Sequence, residues 1–128
     1  MGIEAGMIRH GNIKFKWIED IFVIETQGSF NKEGTLAAIS EFKECVLNSS
    51  FSSWYRLENW TDAMGAPEVF ELIYELYQWS NEKGCRATAV VLTNCIQESV
   101  VKENMPSDVG VFRDQEKAMI WLKKQKDK

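Results

Sequence analysis

The 128 residues are enough for one domain that buries roughly two-thirds of its unfolded surface, so no disulfide or metal staple is required. A net charge of -4, from 15 Lys plus Arg against 19 Asp plus Glu, gives no electrostatic footprint for nucleic acid or an anionic membrane and argues against both as partners. No stretch approaches the ~20 apolar residues of a membrane span, and the opening MGIEAGMIRHG lacks the apolar run of a signal peptide, so the expected location is the cytoplasm.

In chain order, residues 1–9 read as a tail that also takes in His10, and the first regular stretch is NIKFKWI, residues 12–18. Ile13, Phe15 and Trp17 alternate with Lys14 and Lys16, the period of a half-buried strand, and the lysines suit a sheet edge. Glu19 and Asp20 form a short turn into IFVIETQ, residues 21–27, whose four leading apolar residues mark a strand covered on both faces. Gly28 and Ser29 break that pattern. Ser29 or Asn31 then caps a helix over 32–48 with a stripe of Leu36, Ile39, Phe42 and Val46, flanked by Ala38 and Cys45. WYRLEN, 54–59, is a less pure strand in which Arg56 and Glu58 share a face and can pair across it.

The loop NWTDAMG leads into APEVFELIYELYQWSNEK, residues 66–83, the clearest helix of the chain. Pro67 fits its first turn, and Gly84 ends it. Val69, Leu72, Ile73 and Leu76 form one stripe, widened by Phe70, Tyr74 and Tyr77 on one side and Trp79 on the other. The apolar arc spans roughly 220°, whereas covering one side of a core takes little more than ~100°. Part of that face is therefore expected to meet something besides the protein's own sheet. RATAVVLT, 86–93, reads as the middle strand; a short helix or turn follows between Cys95 and Asn104, then a strand at 109–112. Asp114 caps a last helix that buries Ala118, Met119, Trp121 and Leu122 and frays at KKQKDK.

The order β β α β α β (α) β α favours a mostly parallel sheet with right-handed crossovers and an antiparallel edge. This order, the Glu19-Asp20 turn, the Trp60-Thr61-Asp62 segment and the ending VFRDQEKAMIWLKK (111–124) resemble the SpoIIAA-like branch of the STAS fold, also described as STAS/SEC14-type, over residues 10–124. The resemblance implies a single α/β domain with four or five strands and about four helices, acting in binding or regulation and not as an enzyme. STAS regulators carry a phosphorylatable Ser after an Asp ahead of the helix that follows the third strand. Here that region reads Thr61-Asp62-Ala63-Met64-Gly65-Ala66, so a serine switch is not expected.

Ligands of open parallel sheets bind beyond the carboxyl ends of the strands, which would gather Gly28, Ser29 and Phe30 with Trp60, Thr61, Asp62, Thr93 and Asn94. The same Ser29, Thr61, Asp62 and Asn94 equally suit helix and turn caps. Cys45, Cys85 and Cys95 form no CxxC pair, no Gly-rich phosphate loop occurs, and Glu71 with Glu75 reads as a solvated face, so no catalytic residue, metal or cofactor is expected. Two functions stay open. In the first, the wide face of helix 66–83 docks on a protein partner or on a second copy in an isologous homodimer. In the second, that helix is a lid over a pocket for a small apolar molecule or lipid, lined by Phe70, Tyr74 and Tyr77. The candidate binding residues are Phe70, Tyr74, Tyr77, Trp60, Thr61, Asp62 and Asn94.

Overall fold

The computed structural model describes the backbone of residues 4–10, 13–65 and 67–127, and side chains for 13–60 and 69–127. Its six strands, β1 (Glu4–His10), β2 (Ile13–Ile18), β3 (Ile21–Phe30), β4 (Trp54–Gly65), β5 (Cys85–Val91) and β6 (Gly110–Phe112), lie in one sheet in sequence order. The pairs β1/β2 and β2/β3 are antiparallel, and β3/β4, β4/β5 and β5/β6 are parallel. The helices are α1 (Lys32–Leu47), α2 (Pro67–Glu82), α3 (Cys95–Asn104) and α4 (Gln115–Lys126).

Because β3 to β6 are laid down in one direction, right-handed crossovers bring α1, α2 and α3 to the same face. The chain then leaves the last strand and covers the other face with α4. The two sides of each central strand show this directly. Phe22, Ile24 and Trp54 pack with α1 and α2, whereas Ile21, Val23, Tyr55 and Leu57 pack with Ala118 and Leu122 of α4. The run of four apolar residues at 21–24 follows from this double cover, as the sequence predicts. Trp54 is fully buried, and its indole N–H is satisfied by the carbonyl of Lys83 at 2.9 Å.

Several expectations are corrected. Residues 4–10 are not a tail but an antiparallel edge strand, so β2 lies inside the sheet and not at its edge; Asn12 lies outside the described residues. Among the described residues the sheet has six strands, more than the four or five implied, and β5 lies between β4 and β6, next to the edge and not at the middle. Gly28 does not end β3. With φ 87 it carries the strand on, because β4 also continues past Asn59 and supplies parallel partners from Gln27↔Asp62 to Phe30↔Gly65 beyond an irregularity in register. The segment 61–65 is therefore strand, not loop. In α1 the buried stripe is Thr35, Ala38, Phe42 and Val46, and Leu36 is 45% exposed: at ~100° per residue Thr35 lies about 20° from Phe42 but Leu36 about 120° away. The end of α4 does not fray before Lys126, whose ammonium meets the Asp20 carboxylate of the β2–β3 turn at 2.8 Å.

Candidate functional site

The wide apolar arc of α2 is largely covered from within. Val69, Leu76 and Ser80 are buried at its centre, and α1 and α3 flank the helix on either side. Toward α1, Trp79 stands edge-on to Phe42 with ring centroids 6.3 Å apart, and the ammonium groups of Lys43 and Lys83 lie over its indole. Toward α3, Tyr77 is buried and its hydroxyl donates to Asp108 at 3.1 Å; burial pushes its pKa up. Tyr74, about 60° farther round than Tyr77, is 39% exposed.

The three helices do not close completely on the sheet. Between them lies a cavity of about 220 Å³. The sheet contributes Ile13 and Phe15 from β2, Ile24, Thr26 and Phe30 from β3, and Arg56, Glu58 and Trp60 from β4. α1 contributes Thr35, Ala38, Ile39 and Phe42, and α2 contributes Val69, Phe70, Ile73 and Leu76. Asn94, Ile96, Gln97 and Val100 complete it, and the 76% exposure of Ile96 marks the side where it meets solvent.

Arg56 and Glu58 are the two charged residues of this lining. Two apart on β4, they face the same way, and the pairing expected across the strand is present: a guanidinium Nη2 donates to Glu58 Oε2. Arg56 is 0% exposed and Glu58 8%. The guanidinium also donates to the Ser80 hydroxyl at 3.5 Å and lies 5.0 Å from the ring centroid of Phe42. Glu58 Oε1 accepts from the Trp60 indole at 3.2 Å. Arg56 Nε is buried with no hydrogen-bond partner. Thr26 and Thr35 donate their hydroxyl protons to the carbonyls of Asn59 and Asn31 at 3.1 and 2.8 Å, which leaves both oxygens able to accept.

The mouth is fixed by the first turn of α3. Asn94 caps it by accepting from the Gln97 amide N–H at 2.8 Å. Gln97 in turn donates its side-chain amide to the Trp60 carbonyl at 2.9 Å and accepts from Thr93 N at 2.8 Å. Among the described residues the lining holds no His or Cys, and Glu58 is held by Arg56 and Trp60. Among the described residues no group of three or more His, Cys, Asp or Glu could hold a metal ion.

Of the residues singled out from sequence, Phe70, Trp60 and Asn94 line the cavity. Tyr74 and Tyr77 do not, so the lining expected for a lid is corrected: Val69, Ile73 and Leu76 face the space instead. Thr61 and Asp62 have backbones in β4, but their side chains lie outside the described residues. Sequence reasoning missed Arg56, Glu58 and Gln97 as site residues. The signal was a pair of opposite charges two apart in a strand otherwise flanked by Trp54, Leu57 and Trp60.

No protein-family model matches the chain, and no curated protein matches it in sequence. Solved structures do share its architecture, and the fold is SpoIIAA-like. A DUF3478-family protein with a SpoIIAA-like fold from Shewanella loihica superimposes with a TM-score of 0.59 at 16% identity, over 95% of each chain. The phosphorylated form of the Bacillus cell fate determinant SpoIIAA gives 0.58 at 9% identity, over 85% of this chain and 98% of its own. An anti-sigma factor antagonist from Mycobacterium paratuberculosis gives 0.58 at 11% identity, over 96% and 95%. Among the described residues no helix is long and apolar enough to cross a membrane.

Proposed function

We propose that this protein is a non-enzymatic regulatory module that takes up a small, mainly apolar molecule between α2 and the sheet. The cavity carries this reading. About 220 Å³ lined mainly by apolar side chains leaves dispersion contacts unmade that a closely packed core would make. A core packed only for stability would fill that space, and a binding domain keeps it. The size also exceeds the ~150 Å³ of an engineered apolar cavity that admits benzene.

Native mass spectrometry of the full chain purified without detergent tests this. We expect a co-purified apolar mass, and we expect Ala38→Leu, which extends a side chain of the lining, to remove that mass while raising the unfolding temperature. A protein that carries no small molecule and is destabilised by Ala38→Leu would refute the reading.

A protein-interaction role is supported by a different observation, the exposed ring of Tyr74 on α2, together with the fold shared with an anti-sigma factor antagonist. In that reading α2 docks on a protein partner or a second copy. Replacing Tyr74 by Glu should then weaken self-association by about 2 kcal/mol or more while leaving the unfolding temperature almost unchanged. A wild-type chain that stays monomeric at high micromolar concentration would exclude the homodimer.

A further inference from the structure

We infer that the outward face of α2 docks, antiparallel, on the outward face of α4 of a second copy, so that copies associate front to back. The inference rests on the reading in which α2 is a docking helix, and it names the surface that meets it.

The two helices carry opposite charge on opposite sides of the sheet. α2 holds Glu68, Glu71, Glu75 and Glu82 and no Lys or Arg, whereas α4 holds Lys117, Lys123, Lys124 and Lys126 against Glu116. Glu71, Glu75, Glu82, Lys117, Lys123 and Lys124 are all exposed, and among the described residues none of them forms an ion pair. Lys126 is taken by Asp20, and Lys43 and Lys83 lie over Trp79, on the flank of α2 toward α1. The segments whose side chains lie outside the described residues reverse neither charge: 61–68 contains no Lys or Arg, 1–12 contains Glu4 and Arg9, and residue 128 is Lys.

The apolar side chains agree with the charges. At ~100° per residue Tyr74 lies about 60° to one side of Glu71, and Ile120 lies the same angle to the same side of Lys117. Tyr74 is 39% exposed and Ile120 49%. When two helices meet face to face and antiparallel, like flanks meet. That orientation sets Tyr74 against Ile120 while Glu71 and Glu75 lie along Lys117 and Lys124; a parallel one would set each apolar side chain against the opposite flank of the other helix. Because α2 and α4 cover opposite faces of the sheet, each docked copy leaves an α2 or an α4 free, and the contact repeats instead of closing. Exposed charge pairs are individually weak and screened by salt, so the association should be salt-labile.

Sedimentation velocity of the full chain at high micromolar concentration tests this. We expect assemblies that grow with protein concentration at low salt and disperse in about 0.5 M NaCl. Lys117→Glu/Lys124→Glu and Glu71→Lys/Glu75→Lys should each weaken association at least about tenfold without lowering the unfolding temperature, and mixing the two variants should restore it. If a reversal does not fold, Lys117→Gln/Lys124→Gln, which keeps the side-chain length, should show the same loss. A wild type that stays monomeric at low salt, assemblies that stop at a dimer, or association unmoved by the lysine substitutions would overturn the inference. In that last case a loss in Glu71→Lys/Glu75→Lys would leave α2 as a docking helix for another surface. No loss there either would overturn the docking reading itself.

Discussion

The side-chain amide of Gln97 donates to the main-chain carbonyl of Trp60, 37 residues away, at 2.9 Å, and so fastens the mouth of the cavity to the strand that carries its ion pair. The same side chain accepts from Thr93 N at 2.8 Å. Gln97→Leu keeps the bulk but leaves a buried carbonyl and an amide without this partner. We expect a loss of about 1–3 kcal/mol in urea unfolding. A variant as stable as the wild type would mean that α3 is held by its apolar contacts alone.

The Arg56–Glu58 pair should show the asymmetry of buried ion pairs. Glu58→Leu leaves a guanidinium buried opposite an apolar group and removes the acceptor of the Trp60 indole, so it should cost about 3–5 kcal/mol. Arg56→Met/Glu58→Leu should recover most of that loss, since no charge is then left alone. The coupling is read from a double-mutant cycle by denaturant unfolding. Additive losses would show that the two charges are solvated independently.

Gly84 joins α2 to β5 with φ 101, and a Cβ there would overlap the carbonyl oxygen of Ser52. Its own carbonyl accepts from Trp54 N at 3.0 Å, so the backbone cannot easily shift away. Gly84→Ala combines a strained φ with a clash against main chain. It should lower stability by more than about 1 kcal/mol in the same measurement.

The three thiols should differ in reactivity, and the protein should weaken in alkali. Burial pushes the Cys85 thiol up from its ordinary value of 9.0, and Cys45 is raised by burial and then by Glu41 and Glu44, whereas Cys95 is exposed at the start of α3. Alkylation near neutral pH should therefore modify Cys95 first, then Cys45, with Cys85 last, as peptide mapping will show. The Cys85 and Tyr77 values are raised by burial, and Lys126 is raised by its hydrogen bond to Asp20. In each case the unfolded chain releases its proton first. The associated stability is thus full below about pH 9 and is lost as pH rises through the folded values. Urea midpoints that stay constant from about pH 7 to 11 would contradict this.

The sequence determined what depends on neighbours within a turn or a strand. The alternation of Ile13, Phe15 and Trp17 set β2, the two-sided apolar run at 21–24 set a covered strand, and the period of 67–82 with Pro67 ahead and Gly84 behind set α2. Asp114 marked a helix start because a short polar side chain satisfies the first free N–H groups, whereas the choice between Ser29 and Asn31, and between a pocket and a cap role for Asn94, was left to the structure, which has Asn31 and Asn94 as caps. The pairing of Arg56 with Glu58 was also legible, as a matter of period two. What lay beyond was set by packing. A helical wheel shows that Tyr74 and Tyr77 border one arc. Only the position of α3, with Asp108 beside it, buries Tyr77 and leaves Tyr74 in water. Likewise β1, and β4 beyond Asn59, are strands because neighbouring strands pair with them, 3 to 14 positions away for β1 and 35 away for β4, as Met7↔Lys16 and Gln27↔Asp62 illustrate. The cavity is the extreme case. It belongs to no residue, and it exists because three helices and three strands stop short of filling the space around one ion pair, a property of volumes that only the assembled chain possesses.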